Sequence, residues 1–425
     1  MKLKKLMGVL AVAGAALPGV ALATNGYFSH GYGMKAKGMA GVGIALPQDA
    51  MAAATNPAGM AFVGDRLDVG VDWFRPIRDS EIAGSVAPPI NHGYNGSDTK
   101  NFLVPEFGYN KMLGWNMALG VSVYGNGGMN TGYNRGIPLF NNGTLSDTGM
   151  DMMQLFVAPT FAYKLNKDHA IGVTLNLVYQ RFKAFGLQSF ALMPGASISP
   201  TDVTNNGYDS STGWGLKVGY TGNLTDAVTV GAYYQSRTWM SKFSNYKGLF
   251  AEKGDFDIPE NYGIGIAVKA TPKLTVAADV QQINYGSIES VSNKVDCFFA
   301  GMCQLGANNG PGFGWRDMTV FKLGMSYAWS NSLTLRAGIS TTNQPIPKSQ
   351  TLFNMIAPGV VENHLSLGAT WAASPSSEVT LAYMHGFNNK VNGSRSIPLG
   401  GGFPGGNANL KMHQDSLGIA YGLKF

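Results

Sequence analysis

Charged side chains are scarce in this chain of 425 residues, whereas glycines, of which there are 57, and apolar side chains are abundant. Asp, Glu, Lys and Arg together account for 13% of the residues, against roughly 25% in soluble domains. Past the N-terminus there is no apolar run of about 18 residues, which excludes a bundle of transmembrane helices. A transmembrane β-barrel fits both absences, because its strands alternate between lipid-facing and lumen-facing residues.

Cysteine is nearly absent, since Cys297 and Cys303 are the only two. In an oxidising compartment they could close a small loop as a disulfide. A metal pair is the weaker alternative, because His and acidic partners are not clustered nearby. We therefore expect no metal and no cofactor.

The first residues predict export. Lys2, Lys4 and Lys5 precede an apolar stretch too short to span a bilayer, and Ala21-Leu22-Ala23 is typical of a cleavage site. A signal peptide is therefore expected at 1–23. Its removal takes the net charge from +6 to +6 − 3 = +3, too small to indicate nucleic-acid binding.

Alternation of apolar and small or polar residues predicts about 14 strands between residues 63 and 425. The clearest is the last, where Leu417, Ile419, Tyr421, Leu423 and Phe425 share one parity. A terminal aromatic on an amphipathic strand is typical of bacterial outer-membrane barrels and of their recognition by the barrel-assembly machinery. The even strand number agrees with an antiparallel transmembrane barrel.

The predicted connections alternate in length, with turns of a few residues on one side and long loops on the other. Short periplasmic turns and long external loops are the outer-membrane pattern. The long loops are expected at 76–100, 125–150, 186–210, 238–257, 286–315, 343–360 and 388–409. Aromatic residues near strand ends, among them Trp73, Tyr124, Tyr285 and Trp371, are expected in the interfacial girdles.

The predicted inward faces are small, as in Gly213, Gly215 and Gly219 or Gly418, Ala420 and Gly422. A barrel of about 14 strands is too wide for side chains alone to fill. Residues 24–62 precede the first strand and are weakly charged. They contain Asp49, a possible helix N-cap, and Asn56-Pro57-Ala58, a good local helix start. We expect this segment to plug the lumen.

The stretch GMAGVGIALPQDAMAAATNPAGMA strongly resembles the N-terminal hatch of the FadL/TodX family, outer-membrane transporters of long-chain fatty acids and aromatic hydrocarbons. The resemblance rests on the Gly/Ala run, on Asp49-Ala50 and on Asn56-Pro57-Ala58. It implies a 14-stranded barrel with an internal hatch, passive capture of hydrophobic substrates by external loops, and lateral exit through the wall. Long-chain fatty acids are the expected substrate and monoaromatic hydrocarbons the alternative.

The resemblance also suggests where these steps occur. The third predicted strand runs into Gly125-Asn126-Gly127-Gly128, where a bulge could open the wall, although an ordinary glycine-rich strand end fits equally well. Apolar residues in two external loops match the capture groove by position, with mutual packing of the loops as the alternative. They are Phe190, Leu192, Met193, Leu249, Phe250 and Phe256.

Three basic residues, Lys217, Lys322 and Arg336, have inward parity near the middle of their strands. One of them could receive a substrate carboxylate. The preferred interpretation is structural, with these residues pairing with acids of the hatch such as Asp49, because an unpaired charge in a dry pocket is costly. Arg181 and Lys183 have outward parity and are expected to reach lipopolysaccharide phosphates.

Other functions are disfavoured. An enzyme is not expected, since His364 has a close Ser366 but no evident orienting partner. A general porin would need charged constrictions and an open lumen, and a purely structural barrel would leave uptake of hydrophobic molecules unchanged. The chain is therefore predicted to be a monomeric outer-membrane transporter whose partners are hydrophobic molecules, membrane lipid and lipopolysaccharide.

Overall fold

The computed structural model describes residues 25–425, so the predicted signal peptide at 1–23 lies outside the described residues. Fourteen long antiparallel strands form one closed sheet, in which each strand pairs with the next along the chain and the last pairs with the first. The predicted closed 14-stranded barrel is confirmed. The strands are β1 Arg66–Ala83, β2 Phe102–Leu113, β3 Met117–Tyr133, β4 Thr148–Lys164, β5 His169–Phe185, β6 Asp209–Asn223, β7 Val228–Gln235, β8 Asn261–Lys269, β9 Leu274–Ile283, β10 Met318–Ala328, β11 Leu333–Thr342, β12 Asn363–Ala372, β13 Ser377–Val391 and β14 Phe403–Lys424.

Shorter elements lie in the N-terminal segment and the long loops. Three short strands pair with the ends of long ones. Gly93–Asn95 pairs with β1, Trp239–Met240 with β6 and Ile397–Gly400 with β14. The α-helices are Met34–Lys37, Ala52–Thr55, Gln188–Leu192, Ala251–Gly254, Glu289–Ser292 and Asp296–Phe299. The 3₁₀ helices are Pro57–Phe62, Pro88–Ile90, Pro200–Asp202, Ser244–Tyr246, Tyr285–Ser287, Lys348–Gln350 and Phe353–Met355. No helix of the described chain combines the length and the apolar character needed to cross a bilayer.

The two faces of the strands differ as the alternation predicts. Along β14, Leu417, Ile419 and Tyr421 are about half exposed, while Gly418 lies against the side chain of Met34 inside the barrel. The same outward apolar band recurs on the other strands, as in Ile264 and Ile266 of β8. Such a band is what a lipid-facing barrel surface requires.

The strands on one side of the barrel are longer than those on the other, so the barrel has a high wall and a low wall. Strands β1, β3 to β6, β13 and β14 contain 15 to 22 residues, whereas β7 to β12 contain only 8 to 11. The turns at one end of the barrel are three or four residues long, and the other end carries the long loops.

The predicted loops at 76–100, 125–150 and 388–409 were therefore too long, because strands β1, β3, β13 and β14 extend into them. Alternation disappears there because both faces of these strand ends meet protein or water rather than lipid, so the pattern carries no signal of a strand.

Two of the expected girdle residues were also wrong. Trp73 and Trp371 are exposed on the outer surface, as a girdle requires. Tyr124 instead points into the lumen, where its ring lies 4.7 Å from that of Tyr32. Tyr285 is in a loop, and its hydroxyl donates to the carbonyl oxygen of Asn25 at 2.6 Å.

The long loops fold over the low wall and bury a dense set of aromatic rings. Phe190 packs edge-on to Phe140 and Phe353, and Phe250 packs against Phe182. A disulfide joins Cys297 and Cys303 and closes the short helix Asp296–Phe299. The external end of the lumen is thus covered by a packed apolar layer.

Candidate functional site

Residues 25–62 lie inside the ring of strands, and nearly all of them are buried. Their contacts reach inward-facing residues all around the wall, from Asp72 on β1 to Lys217 on β6, Asp279 on β9 and Glu378 on β13. We call them the N-terminal segment. Its helices are too short to be stable alone, so the wall holds its shape.

Acidic residues of the wall hold the N-terminal segment. Lys37 Nζ lies 2.7 Å from Asp72 Oδ2, and Lys35 Nζ lies 2.5 Å from Glu378 Oε1, both pairs being almost wholly buried. Glu106 accepts the backbone N–H groups of Gly33 and Met34 at 3.2 and 3.1 Å. Asp279 similarly accepts two consecutive N–H groups of the segment. Charged hydrogen bonds of this kind are stronger than neutral ones.

The predicted ion pairs placed the positive charge on the wall, whereas in the observed pairs the wall carries the negative charge. Lys217 and Lys322 point inward but donate to backbone carbonyls of the segment, those of Ala54, His30 and Gly41. Arg336 Nε donates to Gln48 at 3.0 Å rather than to Asp49. No carboxylate of residues 25–425 lies within 4.0 Å of these three cations. The two lysines satisfy backbone carbonyl groups that the irregular segment leaves unpaired, and Arg336 binds side chains.

The charges inside the barrel shift one another. Burial would lower the pKa of Lys37, but Asp72 and Glu106 outweigh it and hold that pKa above its usual range. Burial, followed by the carboxylate of Asp68, raises the pKa of Asp49 to about 6. Lys37 is thus a charged anchor, while the Asp49 carboxylate is poorly stabilised where it lies.

Asp49 does not cap the helix that follows it. Its Oδ1 accepts the N–H of Met51 at 3.0 Å, and the helix Ala52–Thr55 begins without a side-chain cap. Asn56 does cap the 3₁₀ helix Pro57–Phe62, since its Oδ1 accepts the N–H of Ala58 at 3.2 Å. Asn56 Nδ2 also donates to the carbonyl of Tyr220 on β6 at 2.9 Å. This motif therefore fastens the segment to the wall as well as starting a helix.

Glycines of the wall let the N-terminal segment approach closely. A Cβ on Gly219 would lie 2.0 Å from Asn56 Oδ1, and one on Gly172 would lie 2.4 Å from the backbone of Pro57. Gly127 and Gly338 likewise face backbone atoms of the segment at distances no Cβ could tolerate. The small inward residues of the sequence thus form the surface on which the segment rests.

Replacing Gly219 with Val is expected to displace Asn56 and Pro57 from the wall, because the side chain must occupy the position of the Asn56 amide. Limited proteolysis of the purified protein should then cut the N-terminal segment faster than in the parent chain. Gly93→Val is the control, since that residue is exposed, has no positive φ and has only the Ser80 carbonyl oxygen, at 4.0 Å, near its Cβ position. Equal cleavage rates of the Gly219 variant and the parent would contradict this role of the wall glycines.

The third strand bulges where the glycines predicted a weak point. The β3–β4 register shifts between Gly125 and Gly127, which leaves Asn126 as an extra residue. Beyond the bulge β3 pairs with the N-terminal segment, because Ser29 N–H donates to Asn126 and Gly128 N–H donates to Tyr27. A bulge bends its strand, and here the bend is toward the lumen.

A window in the wall follows from this bend. Pairing between β2 and β3 stops at Glu106 and Tyr124, so Phe102–Pro105 of β2 face residues 125–131 of β3 without strand hydrogen bonds. The window closes again where Gly132 bonds Gly96 and Asp98. Pro105 begins the unpaired edge, which suits a residue with no N–H to donate. At 3.3 Å per residue, the window is roughly 20 Å long.

The edges of the window overlap rather than lie side by side. Met152 of β4 points into the lumen, so its neighbour Met153 has outward parity. Met153 nevertheless packs in one buried cluster with Phe102 and Val104 of β2, which therefore lie outside β4 at this level. On the lumen side of the β3 edge is an apolar cavity, which we call the seam cavity. It is lined by Gly26, Phe74, Pro76, Arg78, Gly128, Met129, Asn130, Trp315, Ala357, Pro358, Gly359 and Met412.

A second apolar cavity lies under the external loops, and we call it the loop cavity. Ser290 is its only lining residue with a polar side chain, and that hydroxyl already donates to the carbonyl of Asp255 at 2.5 Å. The lining residues are Phe140, Met150, Phe182, Leu187, Phe190, Leu249, Phe250, Ser290, Leu305, Pro311, Gly312, Phe313, Phe353 and Ile356.

The six predicted capture residues divide into two groups. Phe190, Leu249 and Phe250 line the loop cavity. Leu192 is 64% exposed, Met193 lies outside the lining, and Phe256 is buried behind Phe250 at 4.8 Å between ring centroids. The sequence showed apolar loops but could not show which side of each loop would face inward.

Only a thin septum separates the two cavities. Phe313 and Ile356 line the loop cavity, while Trp315 and Ala357, close to them in the same two segments, line the seam cavity. The Phe313 and Trp315 rings are 6.4 Å apart. Residues of these two loop segments therefore divide the two spaces.

The sequence interpretation missed several residues of this arrangement. Arg78 was assigned to a loop, and the wall carboxylates Asp72, Glu106 and Glu378 were not singled out. Asp72 shares its parity with Asp68 and Gly70 on β1, so its inward position was readable from the alternation. The contribution of Phe313 and Trp315 had no comparable signal, because no periodicity orders a loop.

Comparisons with known proteins agree with this architecture. A family model described as outer membrane protein transport protein (OMPP1/FadL/TodX) matches residues 15–425. The toluene transporter TodX of Pseudomonas putida superposes with a TM-score of 0.69 at 18% identity, over 93% of this chain and 99% of that chain. A FadL homologue of Pseudomonas aeruginosa gives 0.70 at 16% identity, over 94% and 100%. The toluene transporter TbuX of Ralstonia pickettii gives 0.65 at 18% identity, over 93% and 99%. None of the curated proteins compared with the chain matches it.

Proposed function

The chain belongs to the outer membrane protein transport protein family (OMPP1/FadL/TodX), whose members carry hydrophobic molecules across the outer membrane, and we propose that it takes up long-chain fatty acids. In this proposal the substrate enters the loop cavity, passes the septum to the seam cavity, and leaves through the window into the membrane. The observation that carries the proposal is the position of an apolar cavity directly behind a gap in the lipid-facing wall.

Capture depends on the loop cavity. Its lining is aromatic and aliphatic and contains no charged residue, so an acyl chain gains about 0.8 kcal/mol for each CH₂ group that leaves water there. The polar atom of its one hydroxyl is already bonded within the loops. The cavity therefore selects for apolar bodies and imposes no head-group requirement.

Exclusion of water-soluble molecules depends on the N-terminal segment, which we propose acts as a hatch. It fills the lumen below the seam cavity and is fixed to the wall by buried ion pairs and carbonyl contacts. A substrate that reaches the seam cavity then has the window as its nearest way out. No energy source is required, because lipid binds the apolar chain at least as well as the cavities do.

Monoaromatic hydrocarbons are the second candidate. The uncharged loop cavity would accept them equally well, and solved proteins of similar fold are described as toluene transporters. The two candidates differ at the seam cavity, where a charged residue is present.

Uptake assays test the proposal directly. Cells that make the protein are compared with cells that lack it, using labelled oleate and labelled toluene at matched concentrations. Faster oleate uptake is the expected result. Uptake of toluene alone would favour the second candidate, whereas large ionic conductance in planar bilayers without uptake of either compound would indicate a general pore.

Placing a carboxylate in the loop cavity is expected to impair capture. In Phe250→Asp the new charge is buried without a partner, which costs far more than burying an unbonded neutral polar group, so uptake should fall at least about tenfold. Leu192→Asp is the matched control, because that loop residue is exposed and does not line the cavity. Equal uptake by the two variants would remove the loop cavity from the pathway.

A further inference from the structure

Arg78 is the one charged residue of the seam cavity, and its surroundings are unusual for a buried guanidinium. It is 2% exposed, and no carboxylate of the described residues lies within the 4.0 Å of an ion pair. Its neighbours in the cavity include Phe74, Pro76 and Met412. A buried charge of this kind is normally paired, because desolvation without a partner is costly.

The hydrogen bonds of Arg78 use its two terminal nitrogens and none uses Nε. Nη1 donates to the carbonyl oxygen and to Oδ1 of Asn130 on β3, and Nη2 donates to the carbonyl of Thr99. Nε has no partner, although it is buried. Nε and Nη2 form the side edge of the group, which binds a carboxylate through two parallel hydrogen bonds.

Arg78 lies above the apolar band of the wall, on the upper part of β1. Trp73, exposed on the outer surface, marks the upper aromatic boundary of the apolar band. Arg78 lies five residues further along the same strand, roughly 16 Å beyond Trp73. The unpaired edge of β2, Phe102–Pro105, pairs on its other side with β1 near Trp73 and so lies lower, beside lipid chains.

From this geometry we infer that Arg78 binds the acidic head group of an amphiphile in the seam cavity and orients it for exit. The head group is held above the apolar band, while the apolar tail faces the window and enters the hydrocarbon first. This inference deepens the proposed uptake of fatty acids and rests on it. A carboxylate is the favoured head group, since it can accept from the unused Nε–H and it supplies the negative charge that the buried guanidinium lacks.

Paired substrates separate this role from a structural one. Binding of oleate and of methyl oleate, which share the same tail, is measured on purified protein in vesicles of neutral lipid for the parent and Arg78→Met. Oleate affinity is expected to fall about tenfold or more, as for loss of a charged hydrogen-bonded pair, while methyl oleate binding stays unchanged. Arg75→Met, on the opposite face of the same strand, should bind both as the parent does.

Each other outcome is decisive. An equal loss for oleate and methyl oleate would mean that Arg78 only holds β3 and residue 99 in place, and would overturn the inference, as would unchanged oleate binding.

If Arg78→Met does not assemble, Arg78→Lys keeps the charge without the side edge and should lose oleate affinity selectively by a smaller factor. A second series in vesicles of phosphatidylglycerol tests whether the phosphate of a membrane lipid occupies the site. If this lipid abolishes the parent's preference for oleate over methyl oleate, Arg78 is assigned to lipid and the inference is overturned. If the parent binds neither oleate nor its ester, the proposed function fails first.

Discussion

Deletion of Asn126 is expected to reduce oleate uptake to the level of cells that lack the protein. Asn126 is the extra residue of the β3 bulge, and without it β3 can pair regularly with β4 and lie straight. A straight β3 would realign its edge with Phe102–Pro105 of β2 and close the window. Uptake of labelled oleate by whole cells, with the amount of assembled barrel measured on the same cells, checks this prediction.

The control deletion removes Gly401, an exposed residue in the turn of an external loop with no atoms near its Cβ position, where a shorter chain is tolerated. The Asn126 deletion also removes hydrogen bonds to Tyr32 and Gln154, so the variant Asn126→Ala separates those contacts from the bulge itself. Asn126→Ala keeps the extra residue and should keep most of the uptake. Normal oleate uptake after the deletion would show that substrate leaves the barrel by another route.

Much of the barrel could be predicted because lipid imposes a strict alternation on every membrane-spanning strand. All fourteen predicted strands are present, and β14 pairs with β1 as expected, with Phe425 directly after it donating its N–H to Asp65. The alternation fails above the membrane, which is why the upper half of β1, including Arg78, was assigned to a loop. Residues outside the lipid band are ordered by partners that are distant in sequence, and no local period records them.

Two features of the sequence mark the window. Pro105 lies within β2, and the glycines from Gly125 onward follow the alternating part of β3. Across the tight hairpin Glu106 pairs with Tyr124, so the proline and the glycines begin at the same level. A residue without N–H opposite a flexible bulge predicts an unpaired edge. Together they indicate a gap that neither indicates alone.

The inward lysines were harder to interpret because parity gives the direction of a side chain and not its partner. Lys217 and Lys322 do point inward, yet they bind carbonyl groups of an irregular segment whose path the sequence does not reveal. The true ion pairs use lysines of the segment and acids of the wall. Short buried segments with few hydrogen bonds of their own expose both N–H and C=O groups, so either sign of wall charge can serve them.

Reversing the charge of Lys37 is expected to release the N-terminal segment and open an ion-conducting path. Lys37→Glu would bring a second carboxylate to within a few ångströms of Asp72, with Glu106 also nearby, in a site shielded from water. Breaking a buried ion pair costs about 3–5 kcal/mol, and a like charge adds to that. Single-channel recordings in planar bilayers should show frequent conducting openings that the parent lacks.

Lys167→Glu is the matched control, because it reverses a lysine whose ion pair with Asp168 is on an exposed turn, where such pairs contribute little. The double variant Lys37→Glu with Asp72→Lys restores opposite charges and should recover part of the seal, though not the bond from Ser416 to Asp72. Conductance as low as the parent's in Lys37→Glu would mean that the backbone contacts of Glu106 and Asp279 hold the segment without this pair. Partial recovery in the double variant would instead show that the attraction itself, and not merely the space each side chain fills, keeps the lumen closed.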